Sequence, residues 1–216
     1  SFAGDVDMSR ITEGLGTHWE ADETGFKPYA TVTSIHAALD SLAIIMRENG
    51  LVADDIAKIR VGTSKATYVH CAWPYEAQSV TAAQMNLYYG LAMIALDGAA
   101  FVDQFDEARI ADPAVFDFIF RIEASVDPEI DRLGREYRHM ARLSVETVDG
   151  HRFSHEERDR RGSPQNPVSE ADLTAKFRTL AAGSLDDDMV TGVIALCAGL
   201  DSLASVDPLI EAVSGS

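Results

Sequence analysis

Positive charge is scarce in this sequence: 18 lysines and arginines stand against 35 acidic residues, a net charge of −17 at pH 7. A field of that sign repels nucleic acid and anionic membrane surfaces, so neither is expected as a partner. Cysteine is scarcer still. Cys71 and Cys197 lie far apart, match neither a disulfide framework nor a zinc knuckle, and fit a reducing cytoplasm in which each is a small buried hydrophobe. There is no run of about 18 uninterrupted apolar residues, and the amino terminus lacks the basic-then-apolar layout of a signal peptide. Phosphate-cradling and serine-nucleophile motifs are absent. Gly14-Leu15-Gly16 has Trp19 where a dinucleotide fingerprint needs its third glycine. His151 and His155 have zinc-like spacing, but on a strand they would stand about 13 Å apart. No metal is therefore expected.

What is present suffices for one sizeable core: 216 residues, 46% of them hydrophobic. Residues 5–15 suit a short helix and 17–26 a polar connector. Over residues 34–48, Ile35, Ala38, Leu39, Leu42, Ile45 and Met46 recur at helical spacing, with Asn49-Gly50 as the stop. Ile56, Ile59, Val61 and the run 66–72 are rich in β-branched and aromatic residues and predict two strands around a turn at 62–65. Thr81 then opens a helix that is apolar on most faces and ends at Gly98. Asp112-Pro113 starts a helix extending toward Arg121. The alternation of Ala141, Leu143, Val145 and Thr147 with polar residues, then Asp149-Gly150 and Phe153, predicts a hairpin with a tight primed turn. Ser169 and Asp172 form a capping box for the next helix, and residues 186–213 read as two more, with Asp186, Asp187 and Asp188 as an acidic cap. The charged run 156–161 reads as a solvated strand end. This order predicts an α+β fold, an antiparallel sheet covered by helices on one face, with additional helices at the carboxyl end.

One segment is not explained by folding alone: Phe26-Lys27-Pro28-Tyr29-Ala30-Thr31-Val32-Thr33-Ser34-Ile35-His36-Ala37-Ala38-Leu39-Asp40. It resembles the lysine-proline-tyrosine stretch leading into a histidine-bearing helix in the MmgE/PrpD family. Pro74-Tyr75-Glu76-Ala77-Gln78 with Thr81 to Asp97-Gly98, and the loop from Gly162 to Pro167 followed by Lys176-Phe177, resemble the same family in the same order. The resemblance spans most of residues 15–180 and matches the smaller α+β domain. It implies that residues 1–25 continue from a helical domain outside this chain, that 26–183 are the α+β domain, and that 184–216 are helices packing on the helical domain.

The resemblance further implies a lyase or isomerase that needs no cofactor and removes a proton next to a carboxylate of a small di- or tricarboxylic acid. Its site lies between the two domains, so a helical domain or subunit is expected as a partner, and a homodimer as the assembly. Lys27 is the candidate to hold a substrate carboxylate and stabilise developing negative charge. His36 is the candidate for proton transfer, or equally a packing residue. Tyr29, Trp73 and Tyr75 are candidates to line the pocket, against the alternative that they are core aromatics. The family's decarboxylases carry a histidine five residues after the lysine; Val32 stands there, which favours dehydration or epimerisation. The competing reading is a non-catalytic interaction domain that keeps the fold. A dimer also follows if the 82–96 helix, without its partner domain, exposes apolar surface.

Overall fold

Helix α1 (His36–Asn49) forms where the apolar spacing requires it and stops at Gly50, whose φ of +64° lets its N–H close back onto the Met46 carbonyl. Its buried face, including Leu39, Leu42 and Ile45, lies on a four-stranded sheet. A computed structural model describes residues 7–214. In chain order the elements that follow are β1 (Ile56–Thr63), α2 (Lys65–Cys71), α3 (Val80–Met85), α4 (Leu87–Asp97), α5 (Glu107–Ile110), α6 (Pro113–Ile119), β2 (Ile122–Val126), α7 (Pro128–Leu133), β3 (Ala141–Thr147) and β4 (Arg152–Glu157). Three more helices, α8 (Glu170–Ala181), α9 (Asp187–Ala198) and α10 (Asp207–Ser214), complete the described chain. No helix among the described residues is long and apolar enough to cross a membrane.

The strands lie in the order β2-β1-β3-β4. Ile59, Val61, Leu143 and Val145 are buried on the inward face, where α1 packs against β3, β4 and α4. The outward face is polar, with Lys58 bonded to Glu123 at 2.7 Å and Arg60 to Glu146 at 3.1 Å. Alternation of period two on β3 produces this division. The α+β class and the sheet covered on one face are as expected, but the sheet is mixed: β1 and β2 run parallel, Ile59 opposite Ile122 and Thr63 opposite Val126. A parallel pair needs a crossover, and α2 to α6 provide it.

Several local expectations are corrected. Residues 66–72 are helical, because the Ser64 hydroxyl accepts from the Thr67 N–H and caps α2, overriding strand-like composition. The helix opened by Pro113 ends at Ile119, and strand β2 occupies residues 122–126, to which the sequence pattern assigns no element. The 81–97 helix is broken at Asn86, whose side chain caps α4 by accepting from Tyr89 N–H and donates to the Trp73 carbonyl. Only Gly150 in the hairpin turn has positive φ, so the turn is not of the doubly left-handed primed type. Cys71 is buried as expected, but Cys197 is exposed. The apolar residues of α4 are buried within this chain, Leu87, Tyr89, Leu91 and Met93 completely, so that helix supplies no physical ground for a dimer.

The described chain separates into two units, one ending at Pro167 and the other beginning at Val168. In the second, Ser169 and Asp172 form the anticipated capping box of α8, and Asp186 accepts from Met189 N–H to cap α9. Val190 and Val193 are its buried residues on α9.

Candidate functional site

The segment carrying Lys27 is fixed at three points before α1 begins. Phe26 N–H donates to the Gly162 carbonyl (2.8 Å), Ala30 N–H to Ala100 (3.0 Å) and Val32 N–H to Gln84 (2.9 Å). The first contact depends on glycine. A Cβ on Gly25 would stand 2.1 Å from the Gly162 oxygen, and one on Gly162 would stand 1.9 Å from the Phe26 oxygen, with φ at +89° besides. The partner loop is stapled in turn, Gly162 N–H to Asn166 O at 2.7 Å and Asn166 Nδ2 to Asp159 O at 2.7 Å.

Within this frame Lys27 is exposed, and its Nζ lies 3.4 Å from the Thr31 carbonyl oxygen. His36 Nε2 lies 3.4 Å from the same oxygen. One backbone carbonyl thus gathers the two principal candidates. The His36 ring is closed off, 1% exposed and edge-on to Tyr29 at 5.2 Å. Burial chiefly, then the charges of Lys27, Arg160 and His139, push its pKa down to about 4 against the opposing Thr31 carbonyl. It is therefore neutral near pH 7 and acts on its surroundings through Thr31 and Tyr29.

Tyr29 is also buried, and its hydroxyl donates to Asp40 Oδ1 at 2.7 Å. The second oxygen of Asp40 accepts from the Arg161 backbone N–H at 2.9 Å. Burial raises the Asp40 pKa although these bonds oppose it. Tyr29, Asp40 and Arg161 line one cavity of about 420 Å³. The 158–166 loop contributes to a second, of about 380 Å³, lined by residues including His139, Arg158, Arg160 and Ser163.

The remaining candidates stand elsewhere. Tyr75 stacks on Tyr89 (5.1 Å) and lies tilted against Phe116 (5.3 Å), its hydroxyl bonded to the Ile110 carbonyl at 2.7 Å. Trp73 is half-buried, and its carbonyl accepts from Asn86. The structure thus joins Lys27, Tyr29 and His36 and gives Tyr75 a separate aromatic cluster. Sequence reasoning gives no site role to Asp40, His139 or Arg160. The run 156–161 is solvated only in part: Glu156 and Arg158 are exposed, whereas Glu157, Asp159, Arg160 and Arg161 are half-buried. The glycine-proline loop beside them was the available signal.

A family model described as the MmgE/PrpD C-terminal domain matches residues 29–200; Lys27 falls just ahead of that span. Cis-aconitate decarboxylase of Aspergillus terreus is 26% identical over 210 residues, covering 93% of this chain and 42% of the relative. The cis-aconitate decarboxylase-like protein oryM of Aspergillus oryzae is 26% identical over 217 residues, covering 95% and 43%. Cis-aconitate decarboxylase of Homo sapiens is 26% identical over 212 residues, covering 98% and 40%. The chain spans about two fifths of the length of these curated relatives.

Proposed function

The chain belongs to the MmgE/PrpD family, whose C-terminal domain it carries, and on that premise we propose that it forms one wall of a lyase or isomerase site for a small di- or tricarboxylic acid. A helical domain or subunit completes the site and supplies further proton-transfer groups. The observation that carries this reading is the meeting of Lys27 and His36 at the Thr31 carbonyl, with the lysine exposed and the imidazole enclosed.

Removing a proton next to a carboxylate drives negative charge onto the substrate. An ammonium at the mouth of a crevice offsets that charge most where water is excluded. Lys27 has this role. An arriving carboxylate also raises the pKa of a nearby imidazole, so substrate brings His36 back from about 4 toward the range useful for proton transfer. The relatives' names point to a tricarboxylic substrate. Val32 cannot transfer a proton, which favours dehydration or epimerisation over loss of carbon dioxide.

The test is turnover of a panel of 2-hydroxy and unsaturated polycarboxylates by the assembled enzyme, with and without Lys27→Ala. The substitution is expected to lower kcat/KM by on the order of a hundredfold, the scale of losing one preorganised charge-stabilising group. Equal turnover in the two proteins would remove Lys27 from the site. Absence of turnover on every acid would leave the interaction-domain reading in its place.

A further inference from the structure

Arg160 stands apart from the other half-buried arginines. Arg109 pairs with Asp97 and Asp112, and Arg142 with Asp127, Glu129 and Glu156. Arg160 is half-buried too, yet in a chain with 35 acidic residues its guanidinium makes no ion pair or side-chain hydrogen bond among the described residues. Glu136 and Asp159 line the same cavity of about 380 Å³ without reaching it. A partly desolvated cation with no counter-charge is costly, and an anion placed beside it recovers that energy.

The backbone around Arg160 is held in place. Its carbonyl accepts from Ser163 N–H at 3.1 Å, and the next N–H, that of Arg161, donates to Asp40 at 2.9 Å. His139 lines the same cavity. Its Nε2 accepts from Arg138 Nε at 3.0 Å, which puts the ring hydrogen on Nδ1, and Nδ1 is covered and has no acceptor. Both Arg160 and His139 act electrostatically on His36, as Lys27 does.

We propose that Arg160, with His139 beside it, is a second carboxylate-binding station separate from Lys27, and that the two stations together select acids carrying at least two carboxylates. This rests on the polycarboxylate reading above and adds a residue to it. A guanidinium fork grips a carboxylate through two N–H groups, fixing orientation where the lysine supplies a point charge.

The test is calorimetric titration of the assembled enzyme with propane-1,2,3-tricarboxylate at constant ionic strength and pH 7.5. The proteins are wild type, Arg160→Met, Arg160→Lys, Lys27→Ala and, as a charge-matched control, Arg152→Met, whose guanidinium pairs with Glu146 on the outer sheet face. Arg160→Met is expected to weaken binding at least tenfold, Arg160→Lys to recover part of it, and Arg152→Met to stay within twofold. The lysine variant, with charge kept, covers the case in which Arg160→Met fails to fold. If Arg160→Met binds like wild type while Lys27→Ala does not, the second station is refuted and the Lys27 reading stands. Loss at Arg160 with none at Lys27 supports the station and refutes the role of Lys27. A wild-type enzyme that binds no tricarboxylate at millimolar concentration overturns both.

Discussion

The carboxylate of Asp40 has one oxygen on the Tyr29 hydroxyl and the other on the Arg161 backbone, so a single buried side chain joins α1, the Lys27 segment and the 158–166 loop. Tyr29→Phe removes one of these bonds and leaves a buried carboxylate oxygen without its donor. The expected loss is roughly 1–3 kcal/mol, read as a lower urea midpoint with unchanged slope; an unshifted midpoint would show that water replaces the hydroxyl. Lys27, Tyr29 and His36 are singled out in the sequence by the resemblance of their segment to the MmgE/PrpD family. Asp40 is not, since a polar residue within an amphipathic helix reads as its solvated face, and its partner Arg161 lies 121 positions away. His139 and Arg160 are hidden for the same reason: only the folded chain brings them to one cavity.

Caps and periodicity announce the elements that stand on local chemistry. Gly50 closing α1 and the Ser169–Asp172 box opening α8 are both where the sequence places them. Strand β2 and helix α2 depend on tertiary context, β2 on a parallel partner made 63 positions earlier (Ile59 with Ile122) and α2 on hydroxyls of Ser64 and Thr67 that both donate to the Arg138 carbonyl, at 2.7 and 2.8 Å. The 158–166 loop lies between these cases: its turn residues are visible, its role in seating Lys27 is not. Gly162→Ala tests that role. With φ at +89° and the Phe26 oxygen 1.9 Å from the new Cβ, the loop must leave the Lys27 segment. Turnover on polycarboxylates is expected to fall as far as in Lys27→Ala, with a lowered melting temperature, whereas Gly183→Ala, where a Cβ meets nothing, keeps both. Full activity in Gly162→Ala would show that the close approach does not seat the lysine.

At the scale of the whole molecule, the buried imidazoles make stability depend on pH. The unfolded chain protonates His36 and His139 below about pH 6.5, whereas burial holds both near 4 in the fold, with Arg138 and Arg160 also depressing His139. Between those values the unfolded state binds more protons, so stability falls as pH drops from about 6.5 toward 4 and is insensitive to these groups above that window. His36 contributes on the order of 3 kcal/mol at most. Asp40, with its raised pKa, works in the opposite sense in the acid part of the range. Thermal melts at pH 7.5 and 5 are expected to show a lower midpoint at pH 5 and a smaller drop in His36→Gln; equal drops would place the pH dependence elsewhere.

The sheet order has a consequence for the chain as it is synthesised. Of the four strands of the sheet β1 is made first, and it lies in the interior, flanked by β2 and β3. The hairpin partners Glu146 and Arg152 are six residues apart, whereas Ile59 and Ile122 are 63 apart, and closing the longer loop costs roughly 2 kcal/mol more in chain entropy. A ribosome-borne chain therefore carries an interior strand without its sheet partners while five helices emerge behind it, and through that interval Ile56, Ile59 and Val61 wait for the strands that will cover their edges.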